Sequence, residues 1–217
     1  MAADIDLPHG LADDLARGIA ALGLDLTAAQ QQKLLDFVAL LAKWNRTYNL
    51  TAIREPERMV THHLLDALAV LPHLPNRAHL RVLDVGAGGG IPGIPLAIAR
   101  PEWRVTLVDA NHKKVAFIRQ AAIELALRNV EAEAERVETL APAAPFDVVI
   151  SRAFADIATF AATSARHLAD DGALVAMKGV HPDEELTEVP ASLRVTATHA
   201  LHVPGLDAAR HLVVMHR

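Results

Sequence analysis

The chain contains no cysteine, one tyrosine and two tryptophans, and aromatic residues make up only 4% of its 217 positions. Without thiols there are no disulfides, thiolate metal sites or iron–sulfur clusters to consider. No apolar run reaches the ~18 residues that a bilayer-spanning helix needs. The first residues, Met1-Ala2-Ala3-Asp4-Ile5-Asp6, lack the basic-then-apolar order of a secretory leader, so a cytoplasmic location without a membrane partner is expected. Twelve histidines are present but scattered, without H-E-x-x-H or similar ligand spacing, and no metal is expected. The formal charge of −5 speaks against a protein that coats nucleic acid nonspecifically, yet leaves room for a local basic site.

Against these absences stands a hydrophobic fraction of 52%, ample for a core in a chain of this length. One domain over residues 1–217 is expected, divided into an N-terminal helical cap (1–78) and a core (79–217). In the cap, Thr27-Ala28-Ala29-Gln30 is a capping-box pattern. Leu34, Phe37, Val38, Leu41 and Trp44 then recur at helical spacing. Asn45 to Leu50 breaks that periodicity, and a further helix is predicted from Glu55 to Leu71, closed by Pro72 and Pro75. From Leu80 onward strands and helices alternate. Strands are predicted at 80–85, 104–108, 130–134, 146–151, 173–178, 193–201 and 211–216. Helices are predicted after the glycines that follow the first strand, at 111–128 and near 155–168. Such alternation implies a mostly parallel sheet with helices on both faces. The last two strands, joined without a clear helix, suggest an antiparallel hairpin at one edge.

The most informative stretch runs from Leu83 to Pro95. A short apolar strand passes directly into Gly86-Ala87-Gly88-Gly89-Gly90, where backbone can approach a ligand because there is no Cβ. A second strand ends on Asp109, about twenty residues past the glycines, a placement that suits the hydroxyls of a ribose. Together they describe a nucleoside-binding βαβ unit. A dinucleotide fingerprint needs G-x-G-x-x-G; Gly86 and Gly88 fit, but the third position is the bulky Ile91. Asp84, two residues before the first glycine, instead resembles the D/E-x-G-x-G turn of S-adenosylmethionine-dependent methyltransferases. That donor carries no phosphates, so a neighbouring acid is tolerable, and S-adenosylmethionine is favoured over NAD.

Ligands in such sheets bind at the carboxyl ends of the strands, which picks out Asp84, Asp109, Ser151-Arg152 and Lys178-Gly179. Lys113 and Lys114 open the predicted 111–128 helix, where positive charge opposes the helix dipole by about 0.3–1 kcal/mol per residue. An anionic partner near the cofactor mouth would offset that cost. Arg46, Arg54, Arg58, Arg119, Arg136 and Arg152 would widen the basic patch, and phosphate contacts of this kind position RNA without reading its bases. Absences discriminate again. The lack of cysteine excludes attack on a pyrimidine C5 through a cysteine adduct. The strand at 146–151 leads into Ala153-Phe154 rather than D/N-P-P-Y/F, the tetrapeptide that holds an exocyclic amino group during adenine-N6 or cytosine-N4 methylation. No general base stands out, because Asp147 and Asp156 read as ordinary carboxylates and His62-His63 as packing or surface groups.

Several segments together resemble one family. They are Trp44 to Ile53, His62 to Asp66, Asp84 to Gly93, Ile150 to Phe154 and Met177 to Gly179. They resemble the bacterial small-subunit ribosomal RNA guanine-N7 methyltransferases called RsmG or GidB, over about residues 30–180, with the tail after 180 adding little. The resemblance implies a class I S-adenosylmethionine-dependent methyltransferase, with a Rossmann-like seven-stranded sheet. It implies methyl transfer to N7 of one guanine (guanine 527) in the 530 loop of 16S RNA, within the 30S subunit or a precursor; nothing in the sequence demands more than a monomer. Gly86 and Ile91 would then line the methionine side of the cofactor site, with Asp84 and Gly88 of the same turn also cofactor-binding. Asp109 would take the ribose, Val137-Glu138 would flank the adenine and Arg152 would close the pocket. Lys113, Arg136, Lys178 and Arg210 would face RNA, with Arg152 and Lys178 positioning the substrate in the absence of a general base. Trp44, Tyr48 or Phe154 would offer stacking surfaces, although core packing is their commoner use. Two rival readings are a small-molecule methyltransferase of the same fold and a non-catalytic module that senses the cofactor.

Overall fold

In a computed structural model of the protein, which describes residues 7–217, the helical cap opens with α1 (Leu11–Ala21) and α2 (Ala28–Tyr48). Met1 to Asp6 lie outside the described residues. The capping box forms at Thr27. Its Oγ1 accepts the Gln30 amide at 3.2 Å, and Gln30 Oε1 accepts the Thr27 amide at 2.9 Å, so two orphan donors are satisfied reciprocally. The Gln30 side-chain nitrogen also donates to the carbonyls of Ile98 and Ala99, which ties the cap to the core.

Helix α2 continues through the predicted break at Asn45. That residue is buried, and its side chain accepts the Thr51 amide at 2.9 Å while donating to the Ile53 carbonyl at 3.1 Å. A polar group at an apolar position therefore stays helical by folding the following loop onto itself. The helix predicted from Glu55 to Leu71 is a single run of changing pitch. It begins as α3 (Pro56–Met59), widens to a π-helical segment (Val60–Leu65) and tightens again as α4 (Asp66–Leu68). A 3-10 turn follows at Leu71–His73.

The core alternates as its sequence pattern requires, through β1 (Arg81–Val85), α5 (Gly93–Ala99), β2 (Arg104–Val108), α6 (His112–Glu124) and β3 (Val130–Glu133). It continues with β4 (Phe146–Arg152), α7 (Ile157–Ser164), β5 (Leu168–Lys178), α8 (Asp183–Leu186), β6 (Arg194–Ala200) and β7 (His211–His216). The seven strands lie in the order β3-β2-β1-β4-β5-β7-β6, parallel except for β7, which runs antiparallel to both neighbours. Strand β5 starts earlier than predicted because Leu168 pairs with Phe146 ahead of a register shift. The short α8 was not predicted from the sequence.

Side chains alternate across the sheet. Val82 and Ile150 meet Leu15, Phe37, Ile94 and Phe117, from the cap, α5 and α6, on one face. Leu83, Val85 and Val149 meet Ile157 and Phe160 of α7 on the other. Phe117 joins cap to core, its ring centroid 6.2 Å from Phe37 and 5.6 Å from Trp44. Trp44 also packs on Tyr48 at 5.2 Å, so its ring belongs to this seam and is not a free stacking platform. Among the described residues no helix is long and apolar enough to cross a membrane. Truncation of the fully buried Phe117 leaves a cavity in this seam. Phe117→Ala is expected to lower the unfolding free energy by about 3–5 kcal/mol, measured by urea denaturation followed by circular dichroism.

Candidate functional site

The winding of the sheet reverses at β1. The chain moves outward through β2 and β3, then returns to place β4 on the other side of β1. Loops leaving neighbouring strand ends at such a reversal diverge and open a crevice. Here those loops are 86–92, 109–111 and 153–156.

Gly86 takes a left-handed backbone (φ +69°) that an L side chain would strain. Its amide and that of Ala87 both donate to the Val108 carbonyl, at 2.9 and 3.1 Å, which folds the glycine turn over the end of β2. Asp109 locks the arrangement. One carboxylate oxygen accepts the Gly88 amide at 2.9 Å and the other the Asn111 amide at 2.8 Å, with the Lys114 ammonium 3.9 Å away. Each oxygen keeps a further lone pair for a ligand hydroxyl. A cavity of about 270 Å³ opens beside it, lined by Gly86, Asp109, Arg136, Val137, Glu138 and Phe154 among others. Four residues expected at the cofactor (Gly86, Asp109, Val137 and Glu138) thus come together, and Gly88 adjoins them through Asp109. Val137 is held by its carbonyl, which accepts His167 Nε2 at 2.8 Å, and the Glu138 carboxylate lies 3.7 Å from Arg136 Nε.

Asp84, Ile91 and Arg152 do not line this cavity. Asp84 is fully buried. The pleat of β1 turns it to the same face as Val82, where Oδ2 accepts the Gly93 amide at 2.8 Å and Oδ1 has no partner. A Cβ at Gly93 would come within 2.8 Å of that carboxylate and 2.6 Å of Leu107, so helix α5 starts this close to the sheet only because the residue is glycine. Burial raises the Asp84 carboxyl to about 7, against the opposing pull of the Gly93 hydrogen bond and of Arg152. Ile91 is likewise buried. Both residues underlie the turn and do not line this cavity.

Arg152 points to the cap. Its guanidinium donates to the His62 carbonyl at 2.9 Å and to Asp66 Oδ2 at 3.2 Å, while Arg210 Nε donates to Asp66 Oδ1 at 2.8 Å. His63 lies alongside, with Nε2 2.8 Å from Thr51 Oγ1. Burial first, and then Arg152, pushes this imidazole down to about 4, so it is neutral at pH 7. Lys178 pairs with Glu185 of α8 at 2.8 Å. Lys113 is exposed, and among the described residues its side chain makes no hydrogen bond or ion pair. Arg119 turns away from the proposed patch and donates twice to the Ala132 carbonyl, pinning α6 to β3. Of the basic candidates, Arg152 and Arg210 share Asp66, and Arg136 lines the cavity. Asp66 and Glu185 were not singled out from the sequence. An acid flanked by Leu64, Leu65, Ala67 and Leu68 was a signal for the first; nothing marked the second. Larger grooves of about 740 and 470 Å³ lie near Trp103 and Arg128, toward the opposite ends of the strands, away from the glycine turn.

This strand order, with a glycine turn after β1 and a carboxylate after β2, defines a class I S-adenosylmethionine-dependent methyltransferase fold. The glycopeptide N-methyltransferase MtfA, solved in complex with S-adenosylmethionine, aligns at TM-score 0.57 and 14% identity over 71% of this chain and 93% of its own. More narrowly, the chain belongs to the family described as rRNA small subunit methyltransferase G, which it matches over residues 30–213. The match extends past residue 180 and includes Arg210, so the tail contributes more than its sequence suggested. Two relatives carry the name Ribosomal RNA small subunit methyltransferase G. The one from Azoarcus sp. (strain BH72) is 56% identical over 203 residues, covering 94% of this chain and 95% of the relative. The one from Nitrosospira multiformis is 53% identical over 213 residues, covering 95% and 97%.

The buried Asp84 makes stability depend on pH. Folded, its carboxyl titrates near 7; unfolded, near the ordinary 3.8. Between those values the folded chain holds the extra proton, so this group's stabilisation is present at low pH and is lost as pH rises from about 4 to about 7. Urea midpoints measured across that range are expected to carry this downward component in the parent and to lack it in Asp84→Asn. Two parallel curves would mean that the carboxyl titrates alike in both states.

Proposed function

We propose that the protein transfers a methyl group from S-adenosylmethionine to N7 of a guanine in the 530 loop of 16S ribosomal RNA, presented on the 30S subunit or a precursor. The observation that carries this reading is the Asp109 carboxylate, fixed by two amides beside a cavity at the β1 reversal, in a chain about half identical to ribosomal RNA methyltransferases. The residues present fit the cofactor. Asp109 would accept the ribose hydroxyls, and Val137 and Phe154 would offer apolar surface to a flat base, with Glu138 polar at the edge. Asp84, by holding the Gly93 amide, would keep the glycine turn in shape. When bound, S-adenosylmethionine supplies an electrophilic methyl on a sulfonium.

Guanine N7 has an in-plane lone pair and no proton. The chain's residues therefore need to place that nitrogen in line and exclude water, without removing a proton. Positioning of this kind lowers a barrier by up to about 7–11 kcal/mol. Arg152, Lys178, Arg136, Lys113 and Arg210 would supply the basic rim that orients RNA. A net charge of −5 is compatible with a rim this local, because a folded ribosomal loop is recognised by shape at few points. In this reading residues 79–217 form the transferring core and 1–78 a cap that completes the rim, acting as a monomer in the cytoplasm.

Tritiated S-adenosylmethionine offered with 30S particles, free 16S RNA or metabolite extract tests the reading. Label is expected in the RNA as N7-methylguanine. Label only in small molecules, or none anywhere, would refute it. Lys178→Ala and Arg152→Ala are each expected to weaken methylation of 30S particles by at least about tenfold. The single-turnover rate is expected to be nearly flat across neutral pH, and a steep single-ionisation profile would contradict the absence of a base.

A further inference from the structure

The Asp66 cluster draws together three distant parts of the chain: the α4 helix of the cap, the end of β4, and the loop before β7. Asp66 is buried, with 2% of its side chain exposed, whereas the Arg152 and Arg210 side chains are each about a quarter exposed. One arginine would neutralise the carboxylate, and a second adds repulsion if the cluster serves only as a tie. Two guanidiniums on one carboxylate leave an excess positive charge at a place that solvent reaches. The geometry is also set firmly. Each carboxylate oxygen takes one arginine, the His62 carbonyl holds Arg152 from a second side, and the adjacent His63 adds no competing charge.

Remaining guanidinium donors are available. Among the described residues, Arg152 Nη2 has only a 3.4 Å contact to His63 Nδ1, and Arg210 Nη2 has no hydrogen-bond partner. Two neighbouring guanidiniums that each keep an Nη2 group free match the oxygens of a phosphodiester. Phe154, two residues along the chain from Arg152, lines the cavity, and Ala153 between them takes a left-handed backbone (φ +61°).

We propose that Asp66 is a positioning residue: it holds Arg152 and Arg210 side by side as a preformed seat for one phosphodiester of the substrate RNA, beside the cavity mouth. This rests on the RNA-methylating reading above. Seating the backbone there would fix the strand relative to the cavity, so the cluster acts on placement of the target base more than on overall affinity.

The test compares the parent, Asp66→Asn and Arg210→Lys on 30S particles from cells lacking this enzyme, with kcat and KM measured separately. Calorimetric affinity for S-adenosylmethionine and thermal unfolding report on the folded state. Asp66→Asn removes a negative charge, so KM for the particles is expected to hold or fall while kcat drops by at least about tenfold. Arg210→Lys keeps the charge and loses the fork; KM is expected to stay within about threefold and kcat to drop about fivefold or more. Parent-like kcat in both variants, or a rise in KM with kcat unchanged, would overturn the proposal. If Asp66→Asn unfolds or loses the cofactor, Arg210→Lys decides alone. A parent that methylates no RNA would overturn the underlying reading, and this one with it.

Discussion

The reversal of winding at β1 is the constraint from which the rest of the site follows. Because β2 and β4 flank the same strand, three loops leave the sheet at one place and must diverge. The glycine turn, Asp109 and Phe154 meet there although they are far apart in sequence. The backbone does most of the shaping. Two amides of the glycine turn bond to Val108, and two further amides aim the oxygens of Asp109.

A continuous chain of polar contacts links the cap to this crevice. Asn45 holds the loop that carries Thr51, Thr51 meets His63, and His63 lies against Arg152, which shares Asp66 with Arg210. In a low-dielectric interior each such group is costly unless its neighbours satisfy it. The cap is therefore held by specific hydrogen bonds as well as by the Phe37, Trp44 and Phe117 seam. The widened π-helical turn and the residue after it present the His62 carbonyl, the His63 ring and Asp66 together, and Arg152 meets all three.

Much of the fold was legible in the sequence because its periodicities are local. All seven strands and the capping box at Thr27 follow from alternation and turn chemistry over a few residues. Boundaries failed where a distant partner intervened. Asn45 reads as a break in an apolar pattern, yet it stays helical because Thr51 and Ile53 satisfy it. Strand β5 lengthens because Phe146 is there to pair with Leu168. Gly86 and Asp109, expected at the cofactor from their spacing, and Val137 and Glu138, expected there from the family resemblance, line one cavity. Asp84 and Ile91 belong to the same motif but sit beneath it, because the motif marks a turn without saying which side chains face outward.

The sequence by itself determined the class of fold, the position of the glycine turn, the carboxylate after the second strand and the family, since each is written in contiguous residues with their own local geometry. Only the tertiary structure decided which charges act together. Asp66, Arg152 and Arg210 lie far apart in the sequence. Their pairing depends on helix pitch, strand pleat and burial, and these exist only once the cap has closed onto the sheet.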